Sequence, residues 1–141
     1  MTKTIYLAGG MSGLTYEEQH GWRLDFMSRI RKNDDGFDRP KFFDPPIYYD
    51  VNEVHDMLEQ REAMTFDLHN LRKADLVVVN FNAPNSIGTA MEIAIANEHN
   101  IPAIGLNESD NELHPWLQLS TMRICKSMEE LVAFVKQFFL D

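Results

Sequence analysis

The chain has 141 residues, 44% of them hydrophobic and 25% charged, with 13 Lys and Arg against 22 Asp and Glu and a formal net charge of -9. That length and composition suit one globular domain, 1–141, able to bury about two thirds of its unfolded surface. The charge argues against long nucleic acid as a partner, because phosphate neutralisation needs clustered Lys and Arg. No apolar run approaches the roughly 20 residues of a membrane span, and the opening MTKTIYLAGG has too short an apolar core for a secretory signal. The expectation is a cytoplasmic protein with no membrane partner.

In chain order, KTIYLA (3–8) is a β-type run closed by Gly9 and Gly10, so a first strand empties into the loop GGMSGLT. A helix follows over 16–32, with Trp22, Phe26 and Ile30 at helical spacing and the turn NDDG as its stop. RPKFFDPP reads as a short second strand ended by two prolines, and IYYDVN as a loop carrying two exposed tyrosines. Residues 53–72 form a second, strongly polar helix. The unbroken apolar run ADLVVVNF (74–81) has the character of a central parallel strand covered on both faces. NAPNS then makes a turn, 86–99 a third helix, and IPAIGL (101–106) the next buried strand. After the polar loop NESDNELHPW, a short strand MRIC leads to a final helix opened by the capping box Ser127 to Glu130. Cys125, the single cysteine, sits in that short apolar run and reads as a buried structural thiol.

Strands alternating with helices imply right-handed crossovers and a doubly wound α/β domain, Rossmann- or flavodoxin-like, of about five mostly parallel strands with helices on both faces. Ligands bind such sheets outside the carboxyl ends of the strands, where the strand order reverses. The loops to watch are therefore 9–15 and 82–88.

Within the third helix, Ile87, Ala90, Met91, Ala94 and Ile95 recur at helical spacing and predict its buried stripe, with Glu92 on the border. Glu92 has two readings: a solvated residue favoured by the helix dipole, or a carboxylate facing a ligand in the space that Gly88, Thr89 and Ala96 leave. Asp67, in TFDLHNL, is either a solvated aspartate or a second carboxyl reaching the same sheet end. Tyr6, in the first strand, is either packing or, if that strand neighbours the central one, a hydroxyl partner for a carboxylate.

Taken together, TIYLAGGMSG, DLHNLRKADLVVVNF and SIGTAMEIAIA resemble the nucleoside 2-deoxyribosyltransferases and the related 2'-deoxynucleoside 5'-monophosphate N-glycosidases, over roughly residues 3–106. The resemblance implies Glu92, four residues after Gly88, as nucleophile, Asp67 as the group assisting the departing base, and Tyr6 as the residue orienting the nucleophile. It further implies substrate contacts from Gly9, Gly10, Met11, Asn82, Ser86 and Gly88. Small-molecule partners follow, a nucleoside or nucleotide and a free nucleobase, and so does a homo-oligomer, dimer or hexamer, for which Trp22, Phe138 and Phe139 are candidate interface residues. The residue types suit the chemistry: one carboxylate can stabilise and trap an oxocarbenium-like centre, and a second can protonate the leaving nitrogen.

The resemblance implies that transfer against hydrolysis turns on Ser86, where the transferases often carry an aspartate and the monophosphate hydrolases a serine that contacts the 5'-phosphate; by its position alone Ser86 is equally a plain N-cap. Glu17 and Glu18 near the first loop, with Arg23 as the nearest arginine, favour an uncharged nucleoside, and transfer is the first expectation. GGMSG lacks the G-x-G-x-x-G of a dinucleotide site, no P-loop is present, and the five histidines show no metal-binding spacing, so neither a cofactor nor a metal is expected. A non-catalytic nucleotide-binding module on the same scaffold is the remaining alternative.

Overall fold

The computed structural model describes residues 2–32, 39–53 and 56–140. In order, the elements are β1 (Thr4–Gly9), α1 (Tyr16–Arg31), β2 (Lys41–Phe43), the 3-10 turns Pro45–Ile47 and Val51–Glu53, α2 (Met57–Arg72), β3 (Leu76–Asn80), α3 (Ile87–Glu98), β4 (Ala103–Leu106), α4 (Pro115–Leu119), β5 (Arg123–Cys125) and α5 (Met128–Val135), which runs into a π turn, Lys136–Leu140. The strands form one parallel sheet in the order β2-β1-β3-β4-β5, with Tyr6 opposite Phe43, Gly9 opposite Asn80, and Asn80 opposite Leu106. This is a doubly wound α/β domain whose order reverses between β1 and β3.

Strand alternation divides the core into two layers. Ile5, Leu7, Leu76, Val78, Ile104 and Leu106 point to the side of Phe26, Ile30, Leu131 and Val135, so α1 and α5 cover that face. Tyr6, Ala8, Val77, Val79 and Ala103 point to the side of Leu68, Leu71, Ile93 and Ala96, so α2 and α3 cover the other. Tyr6 is therefore committed by its place in β1 to the α2/α3 face. Cys125 is buried, as its apolar setting predicts.

Several expectations are corrected. The proposed stop NDDG lies outside the described residues, as do Val54 and His55 at the expected start of α2; the helix begins at Met57, where the Asp56 carboxylate accepts from the Glu59 amide. IYYDVN links the end of one 3-10 turn, Pro45–Ile47, to the start of another, Val51–Glu53, and only Tyr48 of its tyrosines is exposed; Tyr49 is half-buried. Within the loop after β4, Pro115 starts the short helix α4, capped by the His114 ring. The α5 capping box is half made: Ser127 Oγ accepts from the Glu130 amide, while the Glu130 carboxylate turns to the Lys126 amide and Arg123 instead of back to Ser127. Trp22 and Phe139 pack partly buried against the core, leaving Phe138 as the exposed member of the three proposed interface residues.

The largest correction concerns α3. Its buried residues are Thr89, Ile93 and Ala96, with Glu92 half-buried beside them. Ile87, Ala90, Met91 and Ala94 face outward instead. The stripe is shifted by two residues, about 200° of helix, so that nearly the opposite face packs inward; both faces of this helix are small or apolar, and the inner one carries the acid.

Candidate active site

At the carboxyl ends of β1 and β3 the loops 9–15 and 82–88 and the helices α2 and α3 enclose a cavity of about 260 Å³. Gly9, Met11 and Ser12 line it from the first loop, and Ser86, Gly88 and Glu92 from the α3 end. Asp67 and Gln60 line it from α2, and Tyr49 from the strap after β2. Asp67 stands on α2 one residue before Leu68, which with Leu71 is what that helix buries against the sheet, so its carboxyl lies at the edge of the packed face.

Of the residues singled out in the sequence, Glu92, Asp67, Gly9, Met11, Ser86 and Gly88 line the cavity; Gly10 and Asn82 do not. Gly10 has a different job. A Cβ there would stand 2.5 Å from the Ala83 Cβ, so the missing side chain lets the first loop lie directly on the loop after β3. Ser86 is the N-cap of α3: its hydroxyl oxygen accepts from the Thr89 amide at 3.3 Å and from the Thr89 hydroxyl at 3.1 Å. Glu18 is likewise a capping residue, paired reciprocally with Thr15, and neither it nor Glu17 lines the cavity.

Two tyrosines hold the two acids. The Tyr6 hydroxyl, on a fully buried side chain, donates to Glu92 Oε2, and the Tyr49 hydroxyl donates to Asp67 Oδ2. Asp67 Oδ1 is buried with no hydrogen-bond partner among the described residues. Burial of its carboxyl pushes Glu92 up to about 7; the Tyr6 hydrogen bond opposes this, the charge of Asp67 adds to it, and Arg23 opposes it. Burial pushes Asp67 up to about 6, against the pull of the Tyr49 hydrogen bond and Arg23. Both phenols sit far above the ordinary tyrosine value, through burial and then through the adjoining carboxylates, and remain protonated donors at any working pH. The site thus keeps two acids that titrate near neutrality.

Two features of the site had no place in the sequence reading. Tyr49 is one; nothing in the doublet Tyr48–Tyr49 distinguishes the residue that turns inward. A buried polar cluster behind the first loop is the other. Arg23 is 0% exposed and donates from Nε to the Leu7 carbonyl at 3.2 Å and from Nη1 to the Gln19 carbonyl. Its Nε lies 3.9 Å from Asp44, which also meets His20 Nε2 at 2.6 Å. A signal existed here: Gln19, His20 and Arg23 continue the buried stripe of Phe26, Met27 and Ile30, so polar residues stood at core positions.

Fold and cavity together define a class: a doubly wound α/β domain with two tyrosine-held carboxyl groups at the switch point of its sheet. No family model and no curated protein matches the chain. Among solved structures it is similar to a conserved protein from Enterococcus faecalis V583, at 19% identity over 97% of this chain and 99% of that one, with a TM-score of 0.70. It is similar too to a 2-deoxyribosyltransferase from Bacillus psychrosaccharolyticus, at 16% identity over 92% of this chain and 90% of that one, with a TM-score of 0.71. A third neighbour is the CMP N-glycosidase BcmB from Clostridium botulinum, at 15% identity over 97% of this chain and all of that one, with a TM-score of 0.56. At these identities the likeness is one of fold.

Proposed function

We propose that the protein is an enzyme of N-glycosidic bonds, a nucleoside 2-deoxyribosyltransferase that moves the deoxyribosyl group of a 2'-deoxynucleoside to another nucleobase. The observation that carries this reading is the meeting of Glu92, held by Tyr6, and Asp67 in one cavity. Glu92 attacks the anomeric carbon and forms a glycosyl-enzyme; Asp67, as an acid, protonates the leaving base; an acceptor base then attacks the same carbon, and two displacements give net retention. Tyr6 orients Glu92, and its stack on Phe43, at 5.1 Å between ring centroids, fixes the phenol in turn. The activities of two structural neighbours, one a 2-deoxyribosyltransferase and one a CMP N-glycosidase, support the reaction class.

Among the described residues no Lys or Arg lines the cavity, and Arg23 is wholly buried behind it. This supports an uncharged nucleoside over a 5'-monophosphate. Ser86, at the start of α3 and on the cavity wall, supports the second reading, a monophosphate N-glycosidase in which that helix end receives the phosphate. Incubation with deoxyinosine or thymidine, with and without adenine, and with dCMP or dGMP in parallel separates them: new deoxyadenosine supports transfer, and free base released from the monophosphates alone overturns it in favour of the hydrolase.

The outward apolar residues of α3 and α2 support a homo-oligomer, dimer or hexamer, built on faces other than those first considered. Ile87 is 77% exposed and Met57 83%, and exposed apolar patches of this kind mark contact surfaces.

A further inference from the structure

Tyr49 stands between two cavities. It lines the one that holds Asp67 and Glu92, and also a neighbouring one of about 420 Å³ walled by Tyr48, Phe66, Glu59 and Glu62. Its position is set by an aromatic stack that begins at the nucleophile's own tyrosine. Tyr6 stacks on Phe43 at 5.1 Å and 15°, and Phe43 on Tyr48 at 5.1 Å and 13°. Phe66 closes the group, edge-on to Tyr48 at 5.2 Å. The residue before Tyr49 and the residue before Asp67 are thus clamped to each other, and both to the ring beneath Glu92.

A carboxylic acid can carry its proton on either oxygen. Here the Tyr49 phenol donates to Oδ2, which makes that oxygen an acceptor, while the buried Oδ1 has no partner among the described residues. We propose that Tyr49 is a positioning residue for the proton of glycosyl transfer: by donating to Oδ2 it fixes the rotation of the Asp67 carboxyl on the cavity wall and steadies the carboxylate that remains once the proton has passed to the base. The inference rests on the transferase reading above. In the first displacement the bond from the anomeric carbon to the base nitrogen breaks and its electron pair stays with the base. The proton passes from the Asp67 carboxyl to that base, a bond forms between the anomeric carbon and a Glu92 oxygen, and Asp67 is left as a carboxylate steadied by the phenol. In the second, the acceptor base attacks the anomeric carbon, its N–H proton returns to the Asp67 carboxylate, and the bond to Glu92 breaks.

Tyr49→Phe keeps the ring and removes the donor. Its base release from deoxyinosine is expected to fall roughly 10- to 100-fold in kcat with KM within about twofold of wild type. The alkaline limb of the pH profile should move to higher pH, since the lost hydrogen bond is one that lowers Asp67. Release from 7-methyl-2'-deoxyguanosine, whose base is already cationic and departs without a proton, should be unchanged. Tyr49→Gln, whose amide can donate to the same oxygen, should regain part of the rate, and Tyr49→Phe should cost nothing further in an Asp67→Asn background. Equal losses on both nucleosides, an unmoved alkaline limb, or additive losses with Asp67→Asn would overturn the role of Tyr49 while leaving the transferase reading intact. A wild-type protein that releases neither base overturns both.

Discussion

Glu92 and Asp67 hold their protons longer than ordinary carboxylic acids because the fold buries much of both carboxyls, and at Glu92 the charge of Asp67 adds to the effect. A cost in stability follows. With a folded value of about 7 against an ordinary 4.5, Glu92 burdens the native state least below pH 4.5; the stability it allows there is lost as the pH rises through 7. The full difference is on the order of 3 kcal/mol. Glu92→Gln preserves the volume and an oxygen for the Tyr6 hydroxyl but cannot ionise. Urea unfolding should therefore find it more stable than wild type by a few kcal/mol at pH 8, nearly level with wild type at pH 4, and without activity at either. Equal stability at pH 8 would mean that the Glu92 carboxyl is solvated after all.

Among elements, the strands were plain in the sequence and α3 was plain only in part. VVVN can hardly be anything but a buried strand, and the order of apolar runs and helices leads directly to a parallel sheet with its site above β1 and β3. The orientation of α3 was hidden because the hydrophobic pattern and the burial disagree: the face that packs inward includes Thr89 and Glu92, while Ile87 and Met91 point out. A polar residue at a core position was the informative sign, as it was for Arg23 in α1. Tyr49 was beyond reach for another reason: its partner Asp67 belongs to a different element, and no local pattern encodes that pairing. The two loops above the sheet depend on close approach at Gly10. Gly10→Ala, with its Cβ 2.5 Å from that of Ala83, should cost about 1–3 kcal/mol in chemical denaturation and weaken substrate binding by forcing the loops apart. A variant as stable as wild type, with unchanged KM, would show that the loops yield freely.

For the whole molecule, the cavity is framed by surfaces that are themselves apolar and uncovered. Met64 and Met91 line it and are exposed, and Ile87, Met57 and Leu58 extend the apolar surface along α3 and α2. Light scattering on the purified protein should give a mass at least twice the 16.3 kDa of one chain, and Met57→Glu with Ile87→Glu should lower it; a wild-type monomer at micromolar concentration would contradict this. The proposed reaction depends on one bond, between Glu92 and the anomeric carbon. Rapid acid quench of the protein with a 2'-deoxynucleoside and no acceptor, followed by mass spectrometry of its peptides, should find one deoxyribosyl group on the peptide carrying Glu92, absent in Glu92→Gln. Turnover with no adduct at any quench time, or an adduct on another residue, would contradict it.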